Sequence, residues 1–530
     1  MKISVFITIA FLIIGCAKSK KQDSSHKIKG TPQLTYLQML EDHDSLVSYI
    51  NQVSPIIYFN KEVRGIDFNQ YADKLRLNIN SETTMPEYLN VIQKTVNAAQ
   101  DGHTNILWPG LSSIVKNHWI PDGIDVVGND STAFGFVDKY NDYLKKEFYT
   151  QLELELIYSS GEYYNLLPFS YKGRNYPSSM KLISCNNQNI HQFVKGMVTL
   201  VSPMRWDKDN RREYFERFYQ SSFIYKQDSL HLMFLDNKNK EHRLSIAKKD
   251  TVTFLKDKKL NFGYNEGSDS IRTHYFKKER IFYAKLPFME EQLGDSLSNK
   301  LKSIISNSQV EAVVLDIRGN GGGNDNTYSN FLKKIIKDTL QVDLKLGRNY
   351  SSINREFYKI NKDTIVNNPS YSFEVDNVAT LQNPKMYYIV MPKYNFVIPD
   401  SISYPFNGNI YILQDRFIYS SSSNLSNLAK KNEQLISVGE NPNLLGGLQT
   451  VPIILCLPHS KVLLRIEPQI DFTDAKTKAD IFQNNVEYLV NYSIDFLYER
   501  TITFEDVFGK DFLISKDPIF KEVIRLERLK

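Results

Sequence analysis

The chain has 530 residues, too many for a single hydrophobic core, so two to four domains are expected. Lys+Arg 65 against Asp+Glu 60 gives a formal net charge of +5, with the two signs interspersed, which is a solvated surface and not a nucleic-acid footprint. The three cysteines, Cys16, Cys185 and Cys456, lack any zinc-like spacing, and 32 Tyr with 31 Phe suit a chain rich in β-structure.

At the N-terminus, Lys2 precedes an apolar run from Ile3 to Ile14 that is too short to span a bilayer permanently. Ile13-Ile14-Gly15-Cys16 resembles a bacterial lipobox. Residues 1–15 then read as a signal peptide, and Cys16 as a lipidated first residue. Residues 16–33 are polar and basic, a tether that cannot pack a core. The expected place is the bacterial cell envelope, with the membrane held through Cys16; periplasmic and surface faces both stay open.

Residues 34–120 read as a helical N-terminal domain. Leu46, Tyr49, Ile50 and Val53 fall at i, i+3, i+4, i+7, as do Leu89, Ile92, Val96 and Ala99. Thr84 and Glu87 have capping-box spacing, and Gly102 is a candidate helix stop. The strand-like NILWP follows, which puts Asp101-Gly102-His103-Thr104 at a helix-to-strand junction. Residues 151–250 change to short strands with one helix: LELELIY alternates, LISCNNQNI reads as strand, turn and helix start, and SLHLMFLDNKNKEHRLSI reads as a hairpin. That order resembles a PDZ-type module. A disulfide between Cys185 and Cys456 is not expected, since they fall in different domains.

From 275 to 500, strands and helices alternate. IFYAKLPF, EAVVLDI, NIYILQD, QLISVGE, VPIILCLP and KVLLRIEP are strand candidates, with helices after Ser296, Asp325 and Ser421. Residues 338–405 are polar, Asn- and Tyr-rich and without clear periodicity, either an inserted subdomain or a loop over the cleft. Val486, Leu489, Val490, Ile494 and Leu497 keep the register of a last helix, and 501–530 form a C-terminal extension.

Two segments carry chemistry. EAVVLDIRGNGGG is a buried-strand pattern ended by Asp316, followed by Gly319, Gly321, Gly322 and Gly323 and a helix. That geometry aims backbone N–H groups at a phosphate or an oxyanion, and the spacing is neither GxGxxG nor GxxxxGK[ST]. NIYILQDRFIYSSSSNLSNLAKKNEQLISVGE sets a serine cluster between a strand and a helix, where a serine is either a helix cap or a nucleophile.

DIRGNGGG resembles the signature of the S41 serine peptidases, the tail-specific and tricorn-like group, and the serine segment resembles their second block. The resemblance implies an α+β multidomain chain: a helical N-terminal domain, a PDZ-like β-rich module, and an α/β (crotonase-like ββα) S41 catalytic core. Counting back from Gly439-Glu440, it puts the nucleophile at Ser420, with Ser421 next. The lysine base of tail-specific members would fall at Leu445, and Lys430 and Lys431 lie on the helix, so DGHT makes His103 the base, as in tricorn-like members. Asp101 either orients the imidazole or caps local backbone, and His459 is a lesser base candidate. The oxyanion hole would combine the Ser421 N–H with one from Gly321 or Gly322, with Arg318 steadying the loop beside Asp316. No acid completing a tetrad can be placed, and Glu467-Pro468-Gln469 replaces the group's common Pro-Asp pair. The implied activity is hydrolysis of unfolded or peptide-like polypeptides by a Ser–His mechanism, with no cofactor and no metal. The rival reading is a catalytically inactive peptide- or ligand-binding lipoprotein on the same fold.

Overall fold

The computed structural model describes residues 30–128, 130, 132–148, 150–151, 154, 156–215, 219–220, 229–247, 250–257, 271–375, 381–442, 452–473, 475–482 and 486–529. The lipobox at Cys16 and the Leu445 position lie outside the described residues.

Helix α1 (Tyr36–Val53) opens on a capping box between Thr35 and Gln38, and α2 (Met85–Ala98) on the expected one between Thr84 and Glu87. Gly102 is not the stop of α2. The left-handed residue is Gln100 (φ 52°), whose side-chain Nε2 donates to the carbonyls of Asn97, Val198 and Val201. Strand β1 is only Asn105–Ile106, followed by β2 (Val126–Val127) and α3 (Val137–Phe148).

The β-rich module holds β3 (Leu156–Ser159), β4 (Glu162–Asn165), β5 (Lys181–Cys185), α4 (Ile190–Lys195), β6 (Ser229–Leu235) and β7 (Glu241–Ala247). Its sheet runs β7-β6-β5-β4-β3, with β6 and β7 forming the expected hairpin.

The α/β region contains β8 (Arg272–Phe276), β9 (Ile281–Lys285), α5 (Glu291–Ile305), β10 (Ala312–Asp316) and α6 (Asn326–Leu332). Residues 338–405, left open between an inserted subdomain and a loop, carry strands of their own. They form a long antiparallel pair, β11 (Leu340–Asn349) with β12 (Met386–Val397), because Leu340, Val342, Leu344 and Leu346 alternate inward. The core resumes with β13 (Asn409–Gln414), α7 (Ser421–Lys431) and β14 (Leu435–Gly439). Next come β15 (Ile453–Cys456), β16 (Leu463–Ile466), β17 (Gln469–Asp471) and β18 (Tyr488–Leu489). The last expected helix starts later, at α8 (Ile494–Ile502), because Tyr488–Leu489 pairs with β14 as an edge strand. Helices α9 (Lys510–Ser515) and α10 (Pro518–Arg528) close the chain.

The main sheet has the order β8-β9-β10-β13-β14-β18, parallel after its first pair. Val313, Leu315, Ile410 and Ile412 pack on one face against α5, α6 and α7 through Leu297, Phe331 and Leu425. On the other face, Val314, Tyr411 and Leu413 meet Phe496, Phe512 and Phe520 of the C-terminal helices. Being covered on both faces, these strands read as continuous apolar runs without alternation. β15 and β16 do not join this sheet. They pair with β2 and β1, and bury Ile453, Leu455, Leu464 and Ile466 against Leu46, Ile50, Leu89 and Ile92 of α1 and α2. Cys185 and Cys456 are both free and buried.

Candidate active site

β10 and β13 are parallel neighbours in the middle of the sheet, so the loops at their carboxyl ends must lie side by side. The first is the glycine loop, the second the turn to Ser420. Three contacts lock them together. Asp415 Oδ1 accepts from the N–H groups of Gly319 (2.9 Å) and Phe417 (3.0 Å), one on each loop. The Tyr419 N–H donates to the Asn320 carbonyl (3.1 Å). Gly322, at φ 99°, lies so close that a Cβ there would sit 2.7 Å from Ser420 Cβ and from the Tyr419 carbonyl oxygen.

Ser420 has φ 54° and ψ −122°, strained for any residue but glycine, and immediately precedes α7. A strained strand-to-helix turn of this kind presents a serine Oγ with the helix's first N–H groups beside it. Ser420 is half-buried, and its Oγ has no hydrogen-bond partner among the described residues. Ser421, the other candidate, is buried. Among the described residues the N–H groups of Ser421 and Gly321 have no acceptor, and a Cβ at Gly321 would meet open space. The Gly322 N–H is spent on Asn320 Oδ1 (2.8 Å), which removes Gly322 as an oxyanion donor and leaves Gly321.

His103 lies between α2 and β1, held over the serine turn by the pairing of Asn105 with Arg465 of β16. Its Nδ1 is 3.4 Å from Glu467 Oε2. Glu467 is fixed in turn, its N–H donating to Thr104 Oγ1 (3.1 Å). The sequence placed no acid beside His103; the structure puts the Glu467 carboxylate there. Asp101 does not orient the imidazole: its Oδ1 accepts from the His103 backbone N–H (2.6 Å). Burial, then the Arg465 cation, hold the His103 imidazole down at about 4, with Asp101 pulling the other way. Burial, then Glu467, push the Asp101 carboxyl up to about 6. The His103 Nε2 is 3.1 Å from the Tyr419 hydroxyl and not hydrogen-bonded to Ser420. Tyr419, which the sequence did not single out, therefore holds the nitrogen that would take the serine proton.

Asp316 and Arg318 do not face the cleft. They form a fully buried pair (2.6 Å) extended by Tyr283, Tyr492 and Asp517, and Lys285 Nζ donates to the Arg318 carbonyl. Burial pushes Asp415 up to about 6, with Glu440 adding to it, and brings Lys285 down to about 8. His459 is far from this centre in contacts: it bonds Glu41 and Asp42 of α1.

A two-faced parallel sheet with a strained serine and a glycine loop at its carboxyl end, and a buried His–acid pair above them, is the layout of a serine hydrolase. The family model for Peptidase family S41 matches residues 280–476, and this region of the chain is of that family. The structure of mature CPAF complexed with lactacystin has a TM-score of 0.55 at 11% identity, covering 94% of this chain and 100% of that one. A second structure of mature CPAF has a TM-score of 0.53 at 11% identity, covering 93% and 99%. At that identity the likeness is one of fold. No curated protein sequence matches the chain.

Proposed function

We propose that the chain is a serine endopeptidase acting on unfolded or peptide-like polypeptides, with Ser420 as nucleophile, His103 as base and Glu467 as the group that orients it. The observation that carries this reading is Ser420 itself: a positive φ at a non-glycine residue, between a central strand and a helix, backed by Gly322. Ser420 Oγ attacks the scissile carbonyl carbon while His103 Nε2 takes its proton. The carbonyl oxygen becomes an oxyanion held by the N–H groups of Ser421 and Gly321, aided by the positive end of α7. Collapse breaks the C–N bond, and the leaving amine takes the proton from His103. Water, deprotonated by the same nitrogen, then releases the acyl group. For the first step the Ser420 hydroxyl must replace Tyr419 on Nε2. Lipid anchoring at Cys16 in a bacterial envelope belongs to the same reading.

The Tyr419–His103 bond favours the second reading, a binding protein without catalysis, since it leaves Ser420 without its base. A fluorophosphonate probe separates the two. Labelling that maps to Ser420 and is lost in Ser420→Ala and His103→Ala supports the hydrolase; a folded chain that takes no label is the binding protein.

A further inference from the structure

Strand β1 is an edge. It ends the four-stranded sheet β1-β16-β15-β2, so one side pairs with β16 and the other has no strand among the described residues. The register says which groups face that open side. Leu107 donates its N–H to the Leu463 carbonyl (2.9 Å), so Leu107 and Leu463 are a hydrogen-bonded pair. Antiparallel pairs alternate, which makes Asn105 with Arg465 hydrogen-bonded and Ile106 with Leu464 not. The N–H and C=O of Ile106 therefore point away from β16. Trp108 has the same parity and an extended backbone (φ −101°, ψ 164°), and turns its N–H the same way; its C=O accepts from Ser112.

A cavity of about 290 Å³ lies on that open side, running along residues 104–108, with Gly102 and Thr104 at the end next to His103. Its lining is amide-rich: Gln93, Asn97, Asn105 and Asn141, with Asp101 the one charged lining residue. The buried Oδ1 of Asn105 has no hydrogen-bond partner among the described residues. Trp108 is 45% exposed at the rim. A polypeptide main chain offers alternating amide donors and acceptors, which match an open strand edge and amide walls whatever its side chains are.

We infer that the open edge of β1 binds an extended polypeptide segment as an added strand, paired through the N–H and C=O of Ile106, and leads it to His103. The inference rests on the peptidase reading in one respect: His103 protonates the leaving amine, so the segment on its side of the cleft follows the scissile bond. Recognition is through the main chain and tolerates many sequences. Strand spacing of about 3.3 Å per residue puts Ile106 some 10 Å along the chain from His103, so about three residues beyond the scissile bond are gripped.

The test uses full-chain Ser420→Ala, which cannot turn substrate over, and a fluorescent random-sequence decapeptide library, either unmodified or N-methylated at one position at a time. Polarisation should show at least tenfold weaker binding for N-methylation at one position or at two positions two apart, and little change elsewhere. Ile106→Pro removes the outward N–H, along with part of a side chain buried against α1 and α2, and should weaken binding tenfold and erase that positional pattern. Fluorophosphonate labelling of Ile106→Pro in the Ser420 chain reports whether the fold is kept, and Trp108→Ala, expected to weaken binding severalfold, serves if it is not. Binding indifferent to N-methylation, or unchanged in folded Ile106→Pro, overturns the inference. Patterned binding with no labelling of Ser420 in the parent chain keeps the docking edge and removes the peptidase reading alone.

Discussion

At Gly322 a methyl group has nowhere to go: Ser420 Cβ and the Tyr419 carbonyl block it, and φ 99° penalises any side chain. Gly322→Ala should lose fluorophosphonate labelling and about 1–3 kcal/mol of stability, read by denaturant titration. Glu467→Gln keeps the shape but removes the charge facing the imidazolium, and should slow peptide cleavage by about 100-fold or more with KM little changed. An unchanged kcat would remove Glu467 from the mechanism. With His103 held at about 4, the imidazole stays a free base far into acid. The acid limb of Ser420 labelling should have its midpoint well below pH 6, and Arg465→Met should move it upward. Stability carries the same sign. The unfolded histidine takes its proton near pH 6.5 while the folded one does not, so His103 costs stability as pH falls from about 6.5 towards 4. As candidates, Ser420 and His103 were legible in the sequence because each lies in a short local motif. Glu467 was not, because its place beside His103 depends on β1 pairing with β16, more than 350 residues later in the chain. The mark it left was an acid directly after the apolar run of β16, with Arg465 inside that run.

At the scale of elements, the end of α2 matters most, because it delivers the DGHT segment. Gln100 is fully buried in a left-handed conformation; besides its three bonds to carbonyls, its Oε1 accepts from the Met204 N–H (2.8 Å). One side chain thus ties α2 to the segment beyond α4. Gln100→Gly relieves the backbone but orphans those groups, and should still cost about 1–3 kcal/mol, seen as a lowered Tm, with slower Ser420 labelling as the His103 loop loosens. Unchanged Tm and labelling would show that the loop is held by β1 alone. The four inner strands of the main sheet, β9, β10, β13 and β14, were readable from apolar runs because both faces are covered. The β11–β12 pair was missed although Leu340, Val342, Leu344 and Leu346 alternate, since the polar residues between them hid the period. The last helix was drawn too early, because Leu489 and Val490 keep a helical register by chance while Tyr488–Leu489 pairs with β14.

At the scale of the whole molecule, both ends of the chain serve the same site. The N-terminal helices carry His103 and take β15 and β16 from the far side of the core. The C-terminal helices lie under the glycine loop, where Asp517 Oδ2 accepts from Arg318 (2.7 Å) while its Oδ1 caps α10 through Ile519 and Phe520. Arg318 is fully buried, so its charge is tolerable only while Asp316, Asp517 and the Tyr492 hydroxyl surround it. Asp517→Ala should destabilise the chain by about 3–5 kcal/mol, because it leaves part of a buried guanidinium unpaired. Deleting residues 510–530 goes further. It removes the same carboxylate and uncovers the face of the sheet that packs on Phe512, Leu513, Ile519, Phe520 and Val523. At about 1.5–3 kcal/mol for each large apolar side chain, that loss is on the order of 7–15 kcal/mol, comparable to the whole stability of an ordinary domain. The shortened chain should fail to fold, with circular dichroism and labelling lost together. A folded, labelled chain lacking 510–530 would mean that the glycine loop holds its shape without Asp517, and that Arg318 finds its second partner elsewhere.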